Sequence, residues 1–186
     1  MPKSDIPTGT GLFPIPVVLI SCIEKDCERA NIITIAWCGI ICSEPPSVAA
    51  SIRPSRHSYK MIKSTGDFVM NIPTKSLIDK VDQCGLRSGK EIDKFKEFGF
   101  TRVASAKVRS PMIQECPVNI ECVVKDIVKL GAHDMFIGEV LAIHADTEAI
   151  DMDGHFDYAR IQPFVYNQGE YWDLGKKIGF YGFSAK

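Results

Sequence analysis

The sequence predicts a mainly β fold, a closed or partly closed β-barrel of antiparallel strands with a few short helices. Two observations lead to this prediction. Many short apolar runs rich in β-branched residues alternate with turn-forming residues, and the segments with helical periodicity are short. A parallel sheet would need a longer helix between each pair of strands. The length of 186 residues favours one domain, with residues 151–186 as a C-terminal extension that lacks clear periodicity.

The first half of the chain contains four predicted strands. Residues 17–23 form a mostly apolar run, and 31–38 form a β-branched run after the charged hairpin tip 24–29, so the two are expected to pair as a hairpin. Pro45-Pro46 interrupts the chain, and strands are then expected at 48–53 and 67–72.

Three short helices are predicted in the middle of the chain, at 55–65, 76–83 and 92–98. Ser55 is a suitable N-cap for the first helix, and Gly66 is a suitable residue to end it. Gly99 ends the third helix, and residues 85–90 form a polar loop. The second half returns to strands, at 118–130 and 133–145.

Composition excludes several functional classes. The net charge is −1 and like charges are not clustered, so a nucleic-acid partner is not expected. The apolar run 14–20 is too short to span a bilayer and contains prolines, so no membrane partner is expected. Seven cysteines without a disulfide-like spacing favour a reducing, cytoplasmic setting.

The cysteine spacing also argues against a metal site. Cys38 and Cys42 on one strand would be about 13 Å apart, which is too far to share a metal ion. Cys22 and Cys27 flank a polar turn, but no second close pair completes a ligand set. Buried or incidental thiols are the favoured interpretation.

Two segments carry groups suited to ligand binding. In 31–37, Asn31 and Trp37 offer an amide and a large ring, although from these residues alone packing is the favoured role of Trp37. In 53–59, two arginines and two serines lie around a predicted helix start, where free N–H groups and the helix dipole favour an anion. A solvated helix cap remains an equal alternative from these residues alone.

Several blocks, taken in order, resemble the flavin reductase-like family, and its flavoredoxin-type members most. The blocks are Asn31-Ile32-Ile33-Thr34-Ile35-Ala36-Trp37, Pro45-Pro46, the run 51–59, the run 66–73, the run 84–95 and the run 133–140. The resemblance covers residues 12–145, whereas the tail is only loosely similar.

The resemblance implies an FMN-binding split barrel of the antiparallel Greek-key type, working as a homodimer with FMN at the interface. Electrons would pass from NADH, NADPH or a protein donor through FMN to a free flavin or another acceptor. The cofactor-binding residues that it implies are Asn31, Thr34, Ala36, Trp37, Cys38, Ser51, Arg53, Ser55, Arg56, His57, Ser58, Tyr59, Lys90, Lys94, His133 and Tyr166. Lys94 is preferred over Lys90 for the phosphate, and no catalytic side chain is assigned because the cofactor carries the electron chemistry.

Three alternatives remain open from the sequence. The protein could be an electron-transfer protein without nicotinamide activity, a flavin-binding module without turnover, or a split-barrel oxidase acting on a phosphorylated vitamin. The aromatic residues of the tail are candidates for packing across a dimer, and docking on their own barrel is an equal alternative; these residues are Tyr158, Phe164, Tyr166, Tyr171 and Trp172.

Overall fold

The computed structural model describes residues 1–185, so Lys186, the last residue of the predicted extension, lies outside the described residues. The strands are β1 (Ile15–Pro16), β2 (Val18–Ile23), β3 (Ala30–Ile35), β4 (Cys38–Ser43), β5 (Pro46–Ile52), β6 (Asp67–Ile72), β7 (Arg102–Val103), β8 (Met112–Ile113), β9 (Val118–Lys129), β10 (Asp134–Ala145), β11 (Phe164–Asn167) and β12 (Glu170–Asp173). The helices are α1 (His57–Thr65), α2 (Ile78–Leu86), α3 (Lys94–Glu97) and α4 (Tyr158–Ile161), with single 3-10 turns at Lys75–Leu77 and Thr147–Ala149.

Seven strands form one antiparallel sheet in the order β3-β2-β6-β9-β10-β5-β4. Its two edge strands, β3 and β4, are joined by only Ala36 and Trp37. Because two residues cannot cross the width of a flat seven-stranded sheet, the sheet must curl until its edges meet. The result is a barrel that is split between β3 and β4, as the predicted mainly β barrel requires.

The inside of the barrel is filled by apolar side chains from most of its strands. Phe68 of β6 and Phe136 of β10 are fully buried there, and helix α1 covers one end with Met61 and Ile62. The outer face of β2 and β3 is covered as well, so that β2 is buried on both faces. That second layer comes from α2, α3 and a small sheet in the order β1-β11-β12, and its core includes Val81 and Phe95.

The predicted strand 31–38 is wrong at its C-terminal end. β3 ends at Ile35, and Cys38 begins β4, where it pairs with Ala50 of β5. The strand β4 was not predicted because its residues are mostly exposed and show no alternation of apolar and polar side chains. Trp37 therefore lies in the connection between the barrel edges and does not share a strand face with Asn31.

The predicted helices were found with shifted bounds. The first helix begins at His57 after Arg56, and the side chain of Ser55 does not cap it, whereas Gly66 ends it in the left-handed conformation as predicted (φ 80°). The second is longer than predicted and reaches Leu86. The third is only one turn, Lys94–Glu97. A helix of one turn has few residues that can contact the barrel. The residues just before it still belong to the loop that follows α2.

The predicted extension is not irregular. Its strands β11 and β12 form a hairpin that pairs with β1 through Ile15 and Tyr166. Tyr171 and Phe164 of this hairpin pack against the second core layer with their rings 5.6 Å apart. Tyr166 and Tyr171 therefore contact their own chain's barrel. Among the helices of residues 1–185, none has the length and apolar character needed to cross a bilayer.

Candidate functional site

Two adjoining cavities lie where β3, the start of α1 and the end of α2 meet. The smaller has a volume of about 110 Å³, and the larger has a volume of about 310 Å³. Ile33, Arg56 and Gly85 line both cavities, so the two form one continuous depression. We call them the small cavity and the wide cavity.

The small cavity lies at the N-terminus of α1. No side chain in the described part of the chain caps this helix, because Arg56 stands at the N-cap and makes no capping bond. The first amides of a helix carry partial positive charge and need acceptors. The side chains of His57, Ser58 and Arg56 line the same cavity. The helix start therefore offers an anion site with several donors.

Lys94 supplies a buried positive charge to the small cavity. Its side chain is 3% exposed. Its ammonium group donates to the carbonyl oxygen of Ile32 at 2.8 Å and to that of Cys84 at 2.6 Å. Burial lowers the pKa of Lys94 to about 8, and the nearby Arg56 acts in the same direction. The amine is thus held in place by two neutral groups and keeps one further proton for a ligand.

Two buried polar atoms lack a hydrogen-bond partner within residues 1–185, and both belong to residues that line the small cavity. They are Oδ1 of Asn31 and Nε2 of His57. Asn31 donates through Nδ2 to the hydroxyl of Ser58 at 2.8 Å. Buried polar groups without partners cost stability, so this pair marks a place where a polar ligand is expected.

Gly89 makes the small cavity possible. A Cβ atom at this position would lie 2.1 Å from Oδ1 of Asn31, which no side chain allows. Arg29 fixes the loop from outside by donating to the carbonyl oxygen of Gly89 at 2.6 Å. The loop backbone therefore approaches β3 closely because this residue has no side chain.

The wide cavity has an aromatic wall. Trp37 and His133 pack with their ring centroids 4.6 Å apart, and Arg53 donates through Nε to Nε2 of His133 at 3.3 Å. Burial together with the charges of Arg53 and Arg56 lowers the pKa of His133. The imidazole is therefore neutral near pH 7, with Nε2 accepting from Arg53 and the proton on Nδ1.

The opposite side of the wide cavity is lined by Thr34 and Tyr166. Thr34 donates its hydroxyl proton to the carbonyl oxygen of Val81, which ties β3 to α2. The hairpin that carries Tyr166 is held by a second bond, from the hydroxyl of Tyr171 to Asp82 at 2.9 Å. Both bonds fix the side of the cavity against α2.

The structure brings thirteen of the sixteen predicted residues to the two cavities. The small cavity is lined by Asn31, Ser55, Arg56, His57, Ser58 and Lys94. The wide cavity is lined by Thr34, Ala36, Trp37, Ser51, Arg53, His133 and Tyr166, and also by Arg56. Asn31, which the sequence groups with Trp37 in the segment 31–37, lies apart from that ring and beside Ser58 at the anion end.

Three predicted residues line neither cavity. Tyr59 is a core residue whose hydroxyl donates to Asp134 at 2.6 Å. Cys38 lines a separate apolar groove, and burial raises the pKa of its thiol to about 12. Lys90 is exposed, and its carbonyl oxygen accepts from Arg29.

The last turn of α2 and the loop after it contribute four cavity-lining residues that were not predicted, namely Gly85, Arg87, Ser88 and Gly89. The signal that pointed to them was the polar run with two glycines at 85–90. A lone Ser-Gly-Lys is weak as a phosphate motif, so only the position of this loop against β3 assigns it to the site.

The arrangement fits a flat ring that carries a phosphate. The wide cavity offers aromatic surface, and the small cavity offers a helix start, a buried ammonium group and two buried polar atoms in need of partners. A dinucleotide fold is not present in residues 1–185, since all strand pairs of the sheet are antiparallel. The residues therefore fit FMN, with its phosphate in the small cavity.

Two solved structures and a curated protein are similar to this chain over most of its length. The flavoredoxin of Desulfovibrio vulgaris (Miyazaki F) superposes with a TM-score of 0.91 and 32% identity, covering 98% of both chains. A flavoredoxin from Methanosarcina acetivorans superposes with a TM-score of 0.89 and 26% identity, covering 99% of this chain and 98% of that one. An uncharacterized protein of Archaeoglobus fulgidus is 35% identical over 136 residues, which are 73% of this chain and 75% of the relative.

A family model matches nearly the whole chain. It describes the flavin reductase like domain and matches residues 10–175, which include both cavities and the hairpin that carries Tyr166 and Tyr171. The fold is that of the split-barrel flavin-binding proteins. The chain belongs to the flavin reductase like domain family.

Proposed function

We propose that this protein is an FMN-binding oxidoreductase that passes electrons from a nicotinamide or a protein donor through FMN to a flavin or another acceptor. The observation that carries the proposal is the continuity of the two cavities. A cationic cavity with buried, unpartnered polar atoms opens into a larger one with an aromatic wall. The family match and the similarity to flavoredoxins support it.

Different side chains bind the two ends of the cofactor, the phosphate and the ring. Arg56, Ser58 and Lys94 with the first amides of α1 hold the phosphate by charge and hydrogen bonds. Trp37 and His133 lie against the ring of the flavin and exclude water from one side of it. When bound, FMN supplies the reversible electron transfer, and the protein orients the cofactor and controls access to it.

We propose that the working unit is a homodimer. An apolar groove of about 550 Å³ follows β4 and is lined by Ile40, Val48, Ile143, Tyr158 and Leu174, among others. Ile40 is 87% exposed and Ile143 is 53% exposed. The unpaired edge of β4 runs along the same groove, and a second copy would cover both.

The absorbance spectrum of the purified protein is the first test of the proposal. We expect a flavin spectrum and a bound ligand with the mass of FMN. Fluorescence-quenching titrations of the stripped protein should show tighter binding of FMN than of riboflavin, because one charged hydrogen bond contributes about 1.5–3 kcal/mol. Equal affinity for the two flavins would reject the assignment of the phosphate to the small cavity.

A flavoredoxin-like electron-transfer protein without its own nicotinamide activity is the second candidate. The superposition with the flavoredoxin of Desulfovibrio vulgaris, at 32% identity over nearly the full chain, favours it. Anaerobic mixing of the flavin-loaded protein with NADH or NADPH distinguishes the reductase from the electron-transfer protein. Rapid loss of the flavin absorbance supports the reductase, whereas a slow loss with both donors supports a protein donor. A bound flavin that no donor or partner reduces would indicate a binding module without turnover.

A further inference from the structure

Lys94 is a buried cation without a buried anion beside it. In the part of the chain that the structure describes, no carboxylate lies within 4.0 Å of its ammonium group. Its two partners are the neutral carbonyl groups of Ile32 and Cys84. A buried charge is costly unless it is paired, so the ligand-free site holds the charged form of this amine at a cost.

The groups that face Lys94 from the surrounding elements do not compensate that cost near neutral pH. Cys84 from α2 and Cys22 from β2 could supply a negative charge, but burial raises the pKa of each thiol to about 12. Arg56, at the start of α1, repels the ammonium group. Burial and the charge of Arg29 lower the pKa of His57, so this imidazole is neutral above pH 7.

We propose that Lys94 couples phosphate recognition to a proton: the site distinguishes a flavin phosphate from the free flavin while the amine is charged, and loses much of that distinction when the amine is neutral. The inference rests on the proposed function, since it takes the ligand of the small cavity to be a phosphate monoester. It makes Lys94 a specificity-determining residue whose effect depends on pH.

The direction of the pH dependence follows from the sign of the shift. The pKa of Lys94 is lowered from 10.5 to about 8, so the ligand-free protein loses this proton near pH 8. The charge of a bound phosphate dianion raises the pKa again, so binding above pH 8 takes up a proton. The same shift means that the ligand-free fold gains stability between pH 8 and 10.5, where the unfolded amine is still charged.

The test is the ratio of FMN affinity to riboflavin affinity, measured by fluorescence quenching from pH 7 to pH 9.5. Riboflavin carries the same ring, so the ratio removes any titration of the ring itself. We expect the ratio to be constant below pH 8 and then to fall toward about tenfold per pH unit, the limit for one proton. A ratio that stays constant over the whole range overturns the inference.

Two variants test whether the proton that controls the affinity ratio is the one on Lys94. Lys94→Met should give a low ratio at every pH, whereas Lys96→Met, an exposed lysine of the same helical turn, should keep the wild-type profile. If the affinity ratio of the Lys94→Met protein still falls above pH 8, the proton does not belong to Lys94 and the assignment is overturned. The wild-type profile decides the matter alone if Lys94→Met does not fold. Failure to bind either flavin at any pH overturns the proposed function together with this inference, whereas a constant ratio well above one overturns the inference alone.

Discussion

At the scale of single residues, the wide cavity depends on a side chain whose position is unusual for its type. Trp37 is 41% exposed, although large aromatic side chains mostly fill cores. It packs on His133, which in turn accepts a hydrogen bond from Arg53. The three side chains come from the connection after β3, the segment after β5 and the turn before β10, and they meet because β4 and β10 both pair with β5.

Because Trp37 is half exposed, its removal should affect flavin binding more than folding. We expect Trp37→Ala to weaken FMN binding by about 0.5–1.5 kcal/mol, the contribution of an aromatic contact. The stability loss should stay within about 1 kcal/mol, as for other substitutions outside the core. Flavin titration and thermal unfolding of the same preparation measure the two effects.

Trp172→Ala is the matched control for this experiment. Trp172 is also exposed, but it lines neither cavity and donates to Glu170 at 2.8 Å. Its removal should leave flavin affinity unchanged. If Trp37→Ala unfolds the protein while residual flavin binding stays at its wild-type strength, Trp37 is a packing residue.

At the scale of elements, the barrel strands pack so closely around one glycine that a side chain would not fit there. Gly138 of β10 lies against β6 and β9. A Cβ atom at this position would lie 2.6 Å from the ring of Phe68 and 3.1 Å from the Cβ of Cys122. The ring of Phe68 is 1% exposed and is enclosed by the barrel core, so it cannot move away freely.

The substitution Gly138→Ala should therefore destabilise the barrel. We expect a loss of about 1–3 kcal/mol, the usual cost of overpacking a core, measured by urea unfolding. Gly39→Ala in β4 is the control, because no atom lies within 4 Å of the Cβ position there. Equal stability of the two variants would mean that β10 can shift to accept the methyl group.

The C-terminal hairpin is attached to the barrel through α2, and this attachment positions Tyr166. Tyr171→Phe removes the hydrogen bond to Asp82 and keeps the ring in its packing with Phe164. A bond to a carboxylate contributes about 1.5–3 kcal/mol, so the hairpin should open more often. Amide hydrogen exchange in β11 and β12 should accelerate, while exchange in β6 and β9 stays unchanged. Uniform acceleration in all four strands would show that the hairpin unfolds only with the barrel.

At the scale of the whole molecule, the clustered positive charges and the exposed apolar groove occupy different but adjoining regions of the surface. The protein has a net charge of −1, yet Arg53, Arg56 and Lys94 gather at the cavities. The apolar groove along β4 adjoins this region through Trp37 and Cys38. A twofold dimer formed through the groove would therefore place its interface beside each flavin site.

Ile40→Glu should disrupt this dimer, because it places a carboxylate in the centre of the buried face. We expect light scattering to report a monomer, and we expect FMN to be released more readily as the subunits separate on dilution. Ile6→Glu, at another exposed isoleucine that does not line the groove, should leave the mass unchanged. A wild-type monomer that holds stoichiometric FMN would contradict the proposal.

The sequence by itself determined the type of fold and most of the residues at the cavities. β-branched runs and turn residues identified the strands at β2, β6, β9 and β10, since β2 and β6 are buried almost throughout and β9 and β10 are long and carry buried residues in their first halves. The family resemblance selected residues from four separate blocks. The exposed strand β4 carried no such pattern, and so its existence, and the end of β3 at Ile35, were decided by pairing with β5.

Only the tertiary structure decided which end of the site each residue serves. Asn31 belongs to the small cavity because the loop at Gly89 and the hydroxyl of Ser58 meet it there, although both lie more than twenty residues further along the chain. The isolation of Lys94 from the carboxylates of residues 1–185 is likewise a property of packing, because Asp93 precedes it in sequence but pairs with Arg102 instead. Local patterns fix which segments become strands and helices, whereas distances between segments far apart in the chain exist only once the barrel has closed.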